Sequence, residues 1–177
     1  HAKDVDGDGN MDMLSASVNG DKIAWYENDG SENFTEHVIS TSADQATTVH
    51  AADLDADGDM DVLSASQRDD KLAWYENDGS ESFTANVITS SADGARSVYA
   101  ADVDGDGDMD VLSASFNDDK IAWYENDGSE SFTEHAISTS AWGAWSVYAV
   151  DVDGDGDMDV LSALFYDHMI VWYENDG

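Results

Sequence analysis

Apolar and polar positions along the chain come in short bursts rather than long stretches. Val49 to Leu54, Asp61 to Ser66, Lys71 to Glu76 and Phe83 to Thr89 each read as a strand of a few residues. Turn chemistry separates them: an Asp-Gly loop, a polar corner at Gln67 to Asp70, then Asn77-Asp78-Gly79. No window carries a sustained helical period, and with no proline in the chain the turns rest on Gly, Asn and Asp. The third strand, of the form KIAWYE, is apolar on both sides. A half-solvated sheet would alternate, so this strand predicts burial between two neighbouring sheets. Trp25, Trp74, Trp123 and Trp172 share one position in it and read as core.

The same four-strand phrase recurs. Asp4, Asp53, Asp102 and Asp151 open segments of the same pattern 49 residues apart, and Gly30, Gly79, Gly128 and Gly177 close another at the same spacing. A period of this size fits one four-stranded blade (roughly 40–50 residues). The expectation is an all-β chain, a β-propeller of four-stranded antiparallel blades with a 49-residue repeat and about 3.6 blades present. The chain reads as a single propeller over residues 1–177, with blades near 1–48, 49–97, 98–146 and 147–177. The pattern opens inside a first strand and closes after a third. It could be part of a longer propeller, a ring completed by a second chain, or a unit in a fibre.

The segment between the first two strands is D-x-D-x-D-G-x-x-D. Its members are Asp4, Asp6, Asp8, Asn10 and Asp12; Asp53, Asp55, Asp57, Asp59 and Asp61; Asp102, Asp104, Asp106, Asp108 and Asp110; and Asp151, Asp153, Asp155, Asp157 and Asp159. Oxygen ligands at alternate positions converge when the backbone curls, glycine permits the curl, and the seventh residue usually offers its carbonyl. An oxygen-only set favours Ca²⁺ over zinc or copper, and Mg²⁺ usually uses fewer carboxylates. An EF-hand would need Glu at the twelfth position, where Ser15, Ser64, Ser113 and Ser162 stand. The competing reading is a solvated acidic turn. Two carboxylates about 4 Å apart repel by roughly 4 kcal/mol at an effective dielectric near 20, so each loop needs a cation to hold its curl. One Ca²⁺ per loop, four in all, is the expectation.

Charge sharpens this picture. The chain holds 40 acidic and 6 basic residues, a net charge of -34, and 19 of the acids lie in these four loops. Such acidity excludes nucleic acid as a partner. No apolar run is long enough for membrane insertion. A hydrophobic content of 41% still supports a packed core. Cysteine is absent, so disulfides play no part.

The loops between strands, together with the phrases LSAS and KIAWYENDG, resemble the FG-GAP/VCBS repeats. Those repeats form calcium-binding propellers in integrin α-subunits, some fungal lectins and many secreted bacterial proteins. The resemblance implies calcium ligands at the matching aspartates and an extracellular or cell-surface setting. The FG-GAP phrase itself is replaced by LSAS.

In a meander the metal loops share one face, and the two–three loops and four–one connections share the other. Sequence differences between copies concentrate on the second face, at Arg68, Arg96, Phe116, Trp142, Trp145, Phe165, Tyr166 and His168. Aromatics beside polar groups suit a glycan or protein ligand, but self-association or simple loop drift would leave the same mark. Asn33-Phe34-Thr35 is a glycosylation sequon of weight only in a eukaryotic secretory setting. No nucleophile and base stand apart from the metal loops, so catalysis is not expected; a propeller lyase is the enzymatic alternative.

Overall fold

The computed structural model describes residues 1–177. It is all β, in four antiparallel meanders. The first runs β1 (Ala2–Lys3), β2 (Asp12–Ser17), β3 (Lys22–Asn28), β4 (Phe34–Ser40). The second is β5 (Ala46–Ala52), β6 (Asp61–Ser66), β7 (Lys71–Asn77), β8 (Phe83–Thr89), and the third β9 (Ala95–Ala101), β10 (Asp110–Ser115), β11 (Lys120–Asn126), β12 (Phe132–Ser138). The fourth has three strands, β13 (Ala144–Val150), β14 (Asp159–Leu164) and β15 (Met169–Tyr173). The second and fourth strands of the repeat match the pattern-based ranges. The first begins at Ala46 and stops at Ala52, earlier than expected at both ends. Leu54 leaves the ladder because its amide donates to the Asp61 carboxylate at 2.9 Å.

The sheets stack as blades, each burying its side chains against the next. Trp25, Ile23 and Leu14 of the first meet Val62, Ala73 and Tyr75 of the second. Trp74, Leu63 and Leu72 meet Val111, Ala122 and Tyr124. Leu112 and Ile121 meet Val147 and Val160. Register does this: pairing Leu63 with Trp74 and Val62 with Tyr75 sends alternate residues to opposite faces, and both faces are apolar. Each fully buried Leu or Ile contributes roughly 1.5–3 kcal/mol. The sheets follow one another in chain order, meeting through their first strands, and do not close into a ring. Ile23, Leu72 and Ile121 are wholly buried, while their counterpart Ile170 on β15 is 79% exposed. Trp25 and Trp74 are core as expected, Trp123 is half-buried and Trp172 is exposed.

The inner strands carry a column of rings. His1, His50, Tyr99 and Tyr148 stand 49 residues apart and follow one another at 4.5, 4.6 and 4.7 Å between centroids. Burial pushes the His50 imidazole down to about 4, helped by Lys3 and the chain's amino terminus.

Candidate metal centre

Each acidic loop is preorganised by its own backbone. In the first, the Gly7 and Gly9 amides donate to the two oxygens of Asp4 at 2.9 and 3.0 Å. Asp8 N donates to Asp6 Oδ1 at 3.1 Å, and Asn10 N to Asp8 Oδ1 at 2.7 Å. The third and fourth loops repeat the pattern. These bonds tie the first, third and fifth carboxylates to the curl of the loop. The curl needs left-handed backbone at the fourth position, where Gly7, Gly105 and Gly154 have φ of 76, 76 and 84°. The second loop places Ala56 there, at φ 61°.

The carboxylates do converge. Asp4, Asp6 and Asp8 bring ligand atoms within 4.8 Å of one another, as do Asp53, Asp55 and Asp57. In the third and fourth loops the groups are Asp102, Asp104 and Asp110, and Asp151, Asp153 and Asp159. The third-position aspartates, Asp6, Asp55, Asp104 and Asp153, are all pushed above the ordinary carboxylate range. Desolvation is the first cause; neighbouring carboxylates add to it and a backbone hydrogen bond opposes it. In the second loop Asp53 Oδ1 is buried with no hydrogen-bond partner. An orphaned carboxylate oxygen in an oxygen-only cluster fits a hard divalent cation. By donor chemistry the four loops therefore suit Ca²⁺.

The ninth-position aspartate has a second task. Asp12, Asp61, Asp110 and Asp159 are wholly buried. One oxygen accepts from the loop's second residue: Val5, Leu54, Val103 and Val152 donate at 2.8–2.9 Å. The other accepts from the end of the third strand, where the Asn28, Asn77, Asn126 and Asn175 amides donate at 2.8 Å. Burial pushes Asp61 up to about 6 against those bonds, and raises Asp110 for the same reason. Asp159 has the same bonds but no further sheet packed on its blade, so the bonds win and it lies below the usual range.

The seventh-position side chains, Asn10, Asp59, Asp108 and Asp157, lie outside these groups. They sit beneath Gly30, Gly79, Gly128 and Gly177, where any added Cβ would meet their heads at 2.4–3.0 Å. Sequence reading missed the asparagines. The Asn77, Asn126 and Asn175 side-chain amides reach back to the Val5, Leu54 and Val103 carbonyls of the preceding blade's loop, at 3.3, 3.0 and 2.9 Å. Their recurrence in every WYENDG was the available signal.

The variable residues lie at the opposite end, where the two–three loops bond to the four–one connections, as Phe116 N does to Gly94 O and Phe165 N to Gly143 O. Phe116, Trp142, Trp145, Phe165 and Tyr166 form one cluster with centroids 5.2–6.0 Å apart. The Arg96 guanidinium lies 3.8 Å from the Trp145 ring centroid. Arg68 and His168 stand apart from it. His168 fills a left-handed turn position held elsewhere by Asp21, Asp70 and Asp119.

Comparison with known proteins agrees with this architecture. The FG-GAP-like repeat family matches residues 4–64, 53–113 and 103–162. A search of curated proteins finds no match. The crystal structure of the V. cholerae biofilm matrix protein Bap1 is similar over 99% of this chain, with a TM-score of 0.61 and 24% identity. The chain spans 26% of that protein's length, and the likeness is one of fold.

Proposed function

Because the chain belongs to the FG-GAP-like repeat family, we propose that it is a calcium-stiffened extracellular module whose face opposite the metal loops recognises a glycan or a protein. The observation that carries the reading is the fourfold acidic cluster, with ligand atoms within 4.8 Å in every blade. Bound there, Ca²⁺ would be held by the first, third, fifth and ninth aspartates and would offset their mutual repulsion. The extracellular setting draws support from the family and from the structural likeness to a protein described as belonging to a biofilm matrix. The aspartates are tied to one another and to the backbone, which supports recognition or assembly rather than catalysis.

The test is thermal. Calcium binding only the folded state at 100 times its Kd stabilises by about 2.7 kcal/mol per site. Chelator should therefore lower the melting temperature by many degrees, and native mass spectrometry should count four ions. A melt indifferent to chelator would defeat the reading.

A second reading, assembly through like copies, is favoured by one feature. Ile170 and Trp172 expose on β15 the face that the other blades bury against a neighbour. Light scattering decides it: a concentration-dependent oligomer supports assembly, and a monomer at all concentrations removes it.

A further inference from the structure

A cavity of about 250 Å³ opens beside the aromatic cluster, between the inner strands of successive blades. Its walls are Thr47, Thr48, Ser97, Ser146, Arg96 and Trp145, with Val18 at one side. Arg96 and Trp145 occupy the position that Thr47 holds in the second blade, one repeat apart. The molecule has three other cavities, and each has aspartates in its walls. This one has no carboxylate, in a chain where acids outnumber Lys and Arg by 40 to 6. Lys22, Lys71 and Lys120 are all in salt bridges, whereas Arg96 is in none. Its Nη1 donates to Gln67 Oε1 at 3.0 Å, and the remaining guanidinium donors have no ionic partner.

The hydroxyls complete the specification. Thr47 Oγ1 donates to the Ala65 and Ala95 carbonyls at 3.0 and 3.1 Å, and Thr48 Oγ1 donates to the Arg96 carbonyl at 3.3 Å. With their single protons committed, both present acceptor lone pairs. A matching ligand therefore brings hydroxyl donors and one anionic group for the guanidinium. A fully deprotonated inorganic anion such as sulfate has no hydroxyls to give, and a neutral sugar leaves the guanidinium unmatched. The rim is suited too. Trp142 stands where the two preceding connections have Asp44 and Asp93, and it packs on Tyr166 at 5.2 Å.

We propose that this cavity binds a carboxylate-bearing sugar, a uronic acid residue, with Arg96 on the carboxylate and the Thr47 and Thr48 hydroxyls accepting from the sugar hydroxyls. The proposal rests on the recognition reading above and gives its ligand a chemical class. Hydrogen bonds to charged groups are worth about 1.5–3 kcal/mol, so the carboxylate should account for roughly tenfold or more in affinity.

The calcium-loaded chain is titrated with methyl β-D-glucuronide and with methyl β-D-glucoside, which differ only at C6, followed by tryptophan fluorescence and by calorimetry. The glucuronide should bind at least tenfold more tightly. Arg96→Gln should remove that preference, and Arg68→Gln, outside the cavity, should leave it intact. Equal affinities for the two sugars, no binding of either, or an Arg96→Gln variant that keeps the preference would each overturn the proposal. The two-sugar comparison uses the unaltered protein, so it decides the matter even if a variant fails to fold. A melt that still depends on calcium while the glucuronide fails to bind sinks this inference and spares the calcium reading; the reverse result does the opposite.

Discussion

Ala56→Gly should stabilise the protein, and the internal repeat says by how much. Ala56 holds the left-handed conformation that glycine holds in the other three loops. A side chain there costs about 1–2 kcal/mol. Glycine gives back roughly 0.5–1 kcal/mol in unfolded-state entropy. No packing is lost, since a Cβ added at Gly7, Gly105 or Gly154 meets nothing within 4 Å. A hydrogen bond is also at stake. Gly7, Gly105 and Gly154 donate to the first aspartate's Oδ1 at 2.9, 2.8 and 2.6 Å. In the second loop that bond is missing, and Asp53 Oδ1 is left without a partner. Restoring it adds about 0.5–1 kcal/mol. The sum is about 1–2 kcal/mol, or roughly 2–8 °C in melting temperature for a chain of this size. Differential scanning calorimetry in chelator isolates the backbone effect from ion binding, and Gly105→Ala should move the melt the other way by a similar amount. An Ala56→Gly protein that melts at or below the parent temperature would refute the reasoning.

Two further outcomes follow from the same geometry. In chelator, stability should rise as pH falls from 7 toward 5. Asp61 titrates near 6 in the fold against an ordinary 3.8, so the folded state binds the proton more tightly; the cost of ionisation, about 3 kcal/mol in full, is relieved progressively as pH falls from 7 toward 3.8, a little under half of it by pH 5. Asp110 and the third-position aspartates act in the same sense, while Asp159, lowered in the fold, opposes it only below its ordinary 3.8. With calcium present the trend should reverse, because protons compete with the ion for the same oxygens; a chelated protein that loses stability steadily on acidification would contradict this. Asn126→Ala strips partners from the buried carbonyl of Leu54 and the part-buried carbonyl of Met109 and should cost about 1–3 kcal/mol by chemical denaturation, with a change under 0.5 kcal/mol counting against the staple.

Much of the architecture was legible because it is periodic. The turn residues, the doubly apolar third strand and the 49-residue spacing each constrain the same four-strand unit. The acidic loop was legible because its chemistry is local, within nine residues. The missed contacts were those that join neighbouring blades. Asn126 meets Leu54 at a separation of 72 residues, and Arg96 meets Trp145 across one repeat. A linear window cannot see these, although comparing residues 47, 96 and 145 as one column would have exposed the substitution of Thr by Arg and Trp. The paired role of Asp61 was hidden for another reason. Its spacing announces a ligand, while its two backbone donors, Leu54 and Asn77, depend on how the third strand ends.

The asparagine staples give the molecule a direction. Asn77 reaches back to the loop containing Val5, and Asn126 to the loop containing Leu54, so each acidic loop braces the blade that follows it. Loosening one loop should therefore weaken its successor before its predecessor. Under tension or partial chelation, disruption would travel toward the carboxyl terminus like a zip with one slider, and hydrogen exchange along the repeats would record its course.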